Sequence, residues 1–333
     1  MRVFSKINSK LSSSAIGVKT SIFLFNLRVI LLKIGRFRFS ASTPIKTKNS
    51  SDIPEMFFIV GSGRSGNTLL RAILCSNENI VIPPELYSLR QIIKTALKNR
   101  HLPWNQLCEL VVDVFFSTPD SDVWQIDKDE LMKDLHNYDI SSQTASKLVL
   151  SFHQHYAKKQ EPKKNIIIGD KTPFNAYNLW WINELFPQAK FIHMYRDGRD
   201  VAMSYVKSGL YDTYLNAANR WNNSVSKVLD FEKTIASTAR FDKCSYENLV
   251  LEPKSTIQAI CDFLGISFDE KMISSYQNQF GLMGDTTKFK HHNNVQKKIF
   301  SSSLGKWKHA SQAEQNQLLQ IFPIIEENMS QLY

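Results

Sequence analysis

The sequence predicts an α/β fold in which a parallel sheet is covered by helices on both faces, a three-layer sandwich. Short apolar runs of strand length recur along the chain: Met56–Val60, Asn79–Ile82, Asn165–Gly169 and Ala189–Tyr195. Helical patterns separate them, and strands alternating with helices in this way indicate a parallel, doubly wound sheet with covered faces. The third observation is a tight glycine turn, Gly61-Ser62-Gly63-Arg64-Ser65-Gly66-Asn67-Thr68. It joins the first run directly to Leu69, Leu70, Ala72, Ile73 and Leu74 at helical spacing.

A strand, a glycine turn and a helix start together make an anion cradle. Glycines let backbone N–H groups converge on a phosphate, and the helix N-terminus adds partial positive charge. Gly61 and Gly66 keep the spacing of the Walker A pattern, which makes the expected fold P-loop-type. Asn67 stands where that pattern has lysine, and the fixed cation has moved forward to Arg64. The glycine turn, Lys171 and Arg196 each directly follow a strand run. All three are expected at the carboxyl edge of the sheet, where such folds bind ligands.

The chain has 333 residues, 43% of them hydrophobic and 22% charged, enough for one large core or a core with a smaller subdomain. Its formal charge of +10 is unevenly placed. Residues 1–50 hold ten of the 41 Lys and Arg and no acid, leaving 31 basic against 31 acidic residues in 51–333. A near-neutral body takes away the main support for a nucleic-acid partner. Residues 1–50 are therefore read as a separate basic arm, closed by a Ser, Thr and Lys-rich linker at Ala41–Ser51. Within the arm, residues 20–38 carry an apolar run broken by Asn26 and Arg28. It falls short of the ~18–20 residues a spanning helix needs. No small-x-small cleavage site directly follows Ile34, so a signal peptide fits poorly. Membrane-surface contact, organelle targeting and a packed helix all stay open, and the compartment with them.

The body, residues 51–333, takes the elements in order. After Pro83 and Pro84 stop the second apolar run, residues 86–160 read as a helical insert, with loop signals at Pro103, Pro119 and Ser141-Ser142. Ala176–Phe186 and Val201–Val206 read as helices, followed by a long helix around Trp221. Pro253 opens a helix over Ser255–Leu264 that Gly265 closes, in keeping with proline at the start and glycine past the end. Residues 281–308 are polar and basic, and one terminal helix covers the remainder. Cys75, Cys108, Cys244 and Cys261 form no C-x-x-C pair and no cluster with histidine, so they read as thiols, with no metal site.

Four of these segments, in register over about residues 56–310, resemble the sulfotransferase superfamily. They are Gly63-Arg64-Ser65-Gly66-Asn67-Thr68 after a strand, and Arg196-Asp197-Gly198-Arg199-Asp200 with Ser204 eight residues after Arg196. Tyr246-Glu247-Asn248-Leu249, with the later Phe263-Leu264-Gly265-Ile266, is the third, and Gly305-Lys306-Trp307 is the fourth. The resemblance implies 3′-phosphoadenosine 5′-phosphosulfate as co-substrate and transfer of its sulfuryl group to a hydroxyl or amine. Glu85, twenty-one residues after Arg64, looks like the glutamate base of the tyrosylprotein and glycan types. Protein tyrosine, glycans and small molecules are thus all open as acceptors.

Sulfuryl transfer needs a cradle for the leaving phosphate, cations where charge develops and a base for the acceptor proton. On that footing Arg64, with the N–H groups of Ser65, Gly66, Asn67 and Thr68, is expected to hold the 5′-phosphosulfate. Lys171 would set its ammonium on the bridging oxygen. Arg196 and Ser204 would bind the 3′-phosphate, because a guanidinium fork suits phosphate. Glu85 is the expected general base, in the apolar setting of Pro83, Pro84 and Leu86. Gly305 and Lys306 are expected to reach back to the donor, and Tyr246 to pack near its adenine; for Trp221 the core is favoured. With fixed cations doing the neutralising, no metal is required. Two other classes compete: a P-loop kinase or NTPase, with Asp170 as its magnesium ligand, and an inactive nucleotide-binding protein with Asn67 as the sign of decay.

Overall fold

A computed structural model describes residues 43–46, 56–160, 166–235, 238–282, 299 and 301–333. Apart from residues 43–46, the basic arm lies outside the described residues, and so do its expected membrane-surface and targeting roles. The elements in chain order are β1 (Met56–Val60), α1 (Asn67–Leu74), β2 (Ile80–Val81), α2 (Leu89–Lys98), α3 (Trp104–Phe116), α4 (Asp120–Trp124), α5 (Lys128–His136) and α6 (Ala145–Lys159). They continue with β3 (Ile167–Lys171), α7 (Leu179–Leu185), β4 (Lys190–Tyr195), α8 (Gly198–Lys207), α9 (Tyr214–Ile235), β5 (Phe241–Ser245) and α10 (Tyr246–Leu251). The last are α11 (Pro253–Leu264), α12 (Lys271–Ser274), α13 (Gln312–Gln320) and α14 (Phe322–Leu332).

The five strands are all parallel, in the order β2-β3-β1-β4-β5. β1 is central, and every one of its side chains is buried. Because side chains alternate across a strand, the sheet feeds two separate cores. Phe58 and Val60 point with Ile168 and Phe191 into a core shared with the helices of the insert. Phe57 and Ile59 point with Ile192 and Met194 into a core shared with α1 and α11. Burying each of these side chains contributes roughly 1.5–3 kcal/mol. A third cluster joins α8 and α9 to α13 and α14, with Trp221 fully buried within it, as the sequence favoured.

Register brings the strand ends together. Ile59 of β1 lies beside Lys171 of β3, and Val60 lies beside His193 of β4. The glycine turn, Lys171 and Arg196 therefore emerge from three adjacent strands on one edge, as expected. Gly61 (φ 146°) makes this approach possible, since a Cβ there would fall 2.1 Å from the Met194 carbonyl oxygen. No side chain fits that gap.

The structure differs from the expected elements in four places. The run at Asn79–Ile82 pairs only over Ile80–Val81. The helix expected over Ala176–Phe186 is a 3₁₀ turn, Pro173–Tyr177, followed by α7. Phe241–Ser245, which has too few apolar residues to read as a buried strand, is β5 at the sheet edge, with its first three residues half-buried. The single terminal helix is two helices, α13 and α14, because Pro323 lies in the first turn of α14 and cannot continue α13. All four cysteines are free thiols. Among the described residues no helix is long and apolar enough to cross a membrane.

His193 lies at the centre of this packing with neither ring nitrogen hydrogen-bonded. Burial, seconded by the Lys243 charge, pushes its pKa down to about 3. The unfolded chain binds this proton near pH 6.5 and the folded one does not. The resulting stability is complete above about pH 6.5 and is lost as pH falls toward 3, at about 1.4 kcal/mol per pH unit. Urea unfolding of His193→Leu between pH 7 and 5 is expected to show a shallower acid loss than the parent chain. Parallel pH curves would count against it.

Candidate active site

The turn after β1 holds an unusual backbone. Arg64 sits at φ 68°, a left-handed conformation that costs a non-glycine residue roughly 1–2 kcal/mol. It is the one residue of the turn whose guanidinium leaves the loop, and the strain falls on the cation. Its Nε donates to Ser204 Oγ at 3.0 Å. Burial lowers its pKa; Tyr205 opposes this, and the nearby Arg196 charge lowers it further. Gly66 (φ 97°) caps α1, and a Cβ there would meet the Tyr246 ring at 2.5 Å.

Asn67 does not stand in for the missing lysine. Its amide turns back and donates to the Ser62 carbonyl at 2.8 Å, tying the first half of the turn to the start of α1. Ser62 Oγ in turn lies 3.3 Å from the Tyr205 hydroxyl. Asn67 therefore braces the cradle, and Ser65 Oγ is left buried beside it without a hydrogen-bond partner.

Lys171, at the end of β3, is almost fully buried. Its ammonium pairs with Glu85 Oε1 and reaches Thr68 Oγ1 at 3.4 Å. Glu85 also accepts a hydrogen bond at Oε2 from the Tyr87 hydroxyl. It is not a helix-start acid, because α2 begins only at Leu89. The segment that carries it is fixed by Leu86 N–H donating to Thr172 Oγ1 at 2.9 Å. Asp170, next to Lys171, has both oxygens occupied: His153 Nε2 lies 3.0 Å from one, and Asn175 Nδ2 donates to the other at 2.7 Å.

Arg196 follows β4 directly. Its guanidinium lies over the Tyr246 ring at 4.3 Å and donates to the Ser303 carbonyl. It also makes long bonds of 3.4 Å to the Arg64 carbonyl and to Asp200. Its Nε is buried without a partner. Arg199 instead pairs with Asp197 at 2.6 Å and lies over Trp307 at 4.0 Å. Asp200 accepts from the N–H groups of Gly305 (2.8 Å) and Trp307 (3.0 Å), which docks the late Gly-Lys-Trp turn onto α8.

Most of the residues singled out in the sequence are thus brought together: Arg64, Ser65, Gly66, Asn67, Thr68, Glu85, Lys171, Arg196, Ser204 and Tyr246. Gly305 stands beside them through Asp200, with its N–H committed there, and the Lys306 side chain is exposed. Tyr246 gives its ring to Arg196 and Gly66. Trp221 donates from Nε1 to the Arg196 carbonyl at 3.2 Å, so it positions that arginine from within the core. Sequence reasoning missed Tyr87, Thr172, Ser62, Tyr205 and Asp200. The acid of Asp200 was visible, but its partners lie about a hundred residues away and no spacing announces them. Among the described residues, no group of three or more His, Cys, Asp or Glu could hold a metal ion.

A glycine turn at a helix start, a half-buried Arg64 beside the buried Arg196, and partnerless buried polar atoms at Ser65 Oγ and Arg196 Nε mark the carboxyl edge of a P-loop-type fold. The sequence profile of the Sulfotransferase family matches residues 54–270, and the chain belongs to that family. It is 25% identical over 233 residues to Protein-tyrosine sulfotransferase A of Caenorhabditis elegans, covering 66% of this chain and 52% of that protein. It is 25% identical over 245 residues to Protein-tyrosine sulfotransferase 2 of Gallus gallus, covering 70% of this chain and 56% of that protein. The chain thus spans little more than half the length of these relatives. The solved sulfotransferase domain from the curacin biosynthetic pathway shares the fold, with a TM-score of 0.53, 22% identity, and 81% of this chain and 98% of that one covered.

The Asn67 brace can be measured. Asn67→Ala removes one buried hydrogen bond, and a loss of about 1 kcal/mol in urea-unfolding stability is expected. No loss would mean that the Ser62 contact does not hold the turn.

Proposed function

We propose that this chain transfers a sulfuryl group from 3′-phosphoadenosine 5′-phosphosulfate to a hydroxyl or amine of an acceptor. The observation that carries the proposal is the buried Lys171–Glu85 pair set against the glycine turn, a carboxylate and an ammonium together at the carboxyl edge of the sheet. The donor supplies the activated sulfuryl group on its 5′-phosphate. The site fits such a donor: Ser65 Oγ and Arg196 Nε are buried donors without partners, and Arg64 and Arg196 repel each other until an anion lies between them.

In this assignment Arg64 and the N–H groups of Ser65 to Thr68 hold the 5′-phosphosulfate, and Arg196 with Ser204 takes the 3′-phosphate. Glu85 receives the acceptor proton as the acceptor atom bonds to sulfur. Lys171 and Arg64 neutralise charge on the phosphate oxygen as its bond to sulfur breaks. Most of the rate gain is positioning and fixed charge, as in phosphoryl transfer. These cations do the neutralising, so no metal is assigned. The kinase reading is weakened at its candidate magnesium ligand, since Asp170 is 1% exposed and each of its oxygens already meets a side chain of the protein. The decay reading loses its sign, since Asn67 braces the turn. The names of the relatives make a tyrosine-containing peptide the first acceptor to try, ahead of glycans and small alcohols.

Three results are expected. Calorimetry should show adenosine 3′,5′-bisphosphate binding more tightly than ADP; equal affinity would restore the kinase class. Glu85→Gln should keep bisphosphate binding and lose transfer by about a hundredfold or more, and unchanged turnover would remove Glu85 as the base. EDTA should leave turnover of labelled donor intact, and a strict magnesium requirement would overturn the cation assignment.

A further inference from the structure

Glu85 is gripped at both ends of its carboxylate. Lys171 pairs with Oε1 from inside the protein, and Tyr87 donates to Oε2 from the outer side. The two partners differ in their access to water: Lys171 is 1% exposed, whereas Tyr87 is 51% exposed. A base that has taken a proton in a closed site must return it to solvent before the next turnover. Lys171 cannot accept it, because an ammonium has no lone pair. A phenol can accept at oxygen and donate at hydrogen at the same time.

The Tyr87 ring is also held in place. It packs edge-on against Phe174, with centroids 5.6 Å apart at 71°. Phe174 lies under the Arg220 guanidinium at 4.6 Å, and Arg220 covers Tyr177 at 4.7 Å as well. Arg220 donates to Ser224 Oγ at 2.8 Å, which anchors the stack to α9. A half-exposed tyrosine in a loop would ordinarily sample several rotamers. Here an aromatic and cationic stack keeps its hydroxyl on the carboxylate.

We infer that Tyr87 is a positioning residue for Glu85 and the outlet for its proton. The inference rests on Glu85 being the base. After transfer, the Glu85 O–H bond breaks as its proton passes to the Tyr87 oxygen, and the phenol's own proton leaves to water. Both groups are restored, and one proton has moved from acceptor to solvent. Tyr87 also fixes Oε2.

The test is Tyr87→Phe, which keeps the ring against Phe174 and removes only the hydroxyl. It is assayed with labelled donor and whichever of a tyrosine peptide, a glycan or a small alcohol the parent protein turns over. The expected result is a fall in kcat of about tenfold, with bisphosphate affinity unchanged and partial rescue by millimolar imidazole, a small mobile base. The acid limb of the kcat–pH profile should move to higher pH, because a hydrogen bond that favoured the charged carboxylate is gone. Infrared difference titration, with Glu85→Gln as the subtraction, should show the same displacement without any acceptor. Parental kcat with an unmoved acid limb, or a fall with neither rescue nor displacement, overturns the inference. If Glu85→Gln is inactive while Tyr87→Phe behaves like the parent, only the Tyr87 assignment fails. If Glu85→Gln is active, the base assignment fails first.

Discussion

The buried ion pair between Lys171 and Glu85 is the constraint to which the site is built. An ammonium at the end of a central strand, with almost no exposure, costs several kcal/mol unless an anion meets it. Glu85 meets it from a loop that begins where Pro83 and Pro84 stop the β2 run, and Thr172, the residue after Lys171, holds that loop by accepting from Leu86 N–H. The order β2-β3-β1 puts Lys171 at the end of β3 and the Glu85 loop just past the end of its neighbour β2. Breaking such a pair from one side typically costs about 3–5 kcal/mol, so carboxylate, cation and strand order are fixed together.

Around that pair the glycine turn and the end of β4 are assembled with little slack. Gly61 lets β1 close on the Met194 carbonyl, and the same approach brings Arg196 over Tyr246 and under the turn. Arg64 contributes its side chain to Ser204 and its carbonyl to Arg196, so the cradle and the end of β4 share one residue. Strain at Arg64 and like charge between the two arginines are both stored in the free protein. An anion that neutralised the charge would be bound by groups already in position, which lowers the ordering cost of binding.

Much of this was legible in the sequence because it is local. Strand, turn and helix over Met56–Leu74 lie within one stretch, and a glycine pattern there has few other uses. The strand-end positions of Lys171 and Arg196 followed from their apolar runs, and parallel topology then put them on one edge. What escaped was either weakly patterned or remote. β5 alternates little and lies at the sheet edge, so no apolar run marked it. Pro323 splits the terminal helix in a segment whose helical periodicity carries across the break. Asp200 with Gly305, Thr172 with Leu86, and Tyr205 with Ser62 are contacts between distant positions, created by the fold and carrying no spacing of their own. Asn67 was visible as a departure, but its role depended on which way its amide turned.

The grip on Asp170 has a bearing on how far the inserted helices are independent of the sheet edge. His153 belongs to α6, within the helices inserted between β2 and β3, yet it binds the residue adjacent to Lys171. Trp124 of α4 stands edge-on to His153 at 5.1 Å, so the contact is backed by the insert's own core. The insert is therefore not an exchangeable module laid over a finished sheet edge. A graft with no histidine at this place would leave Asp170 short of one partner beside the buried ammonium. Surface positions on these helices can change while His153 and its backing stay in place.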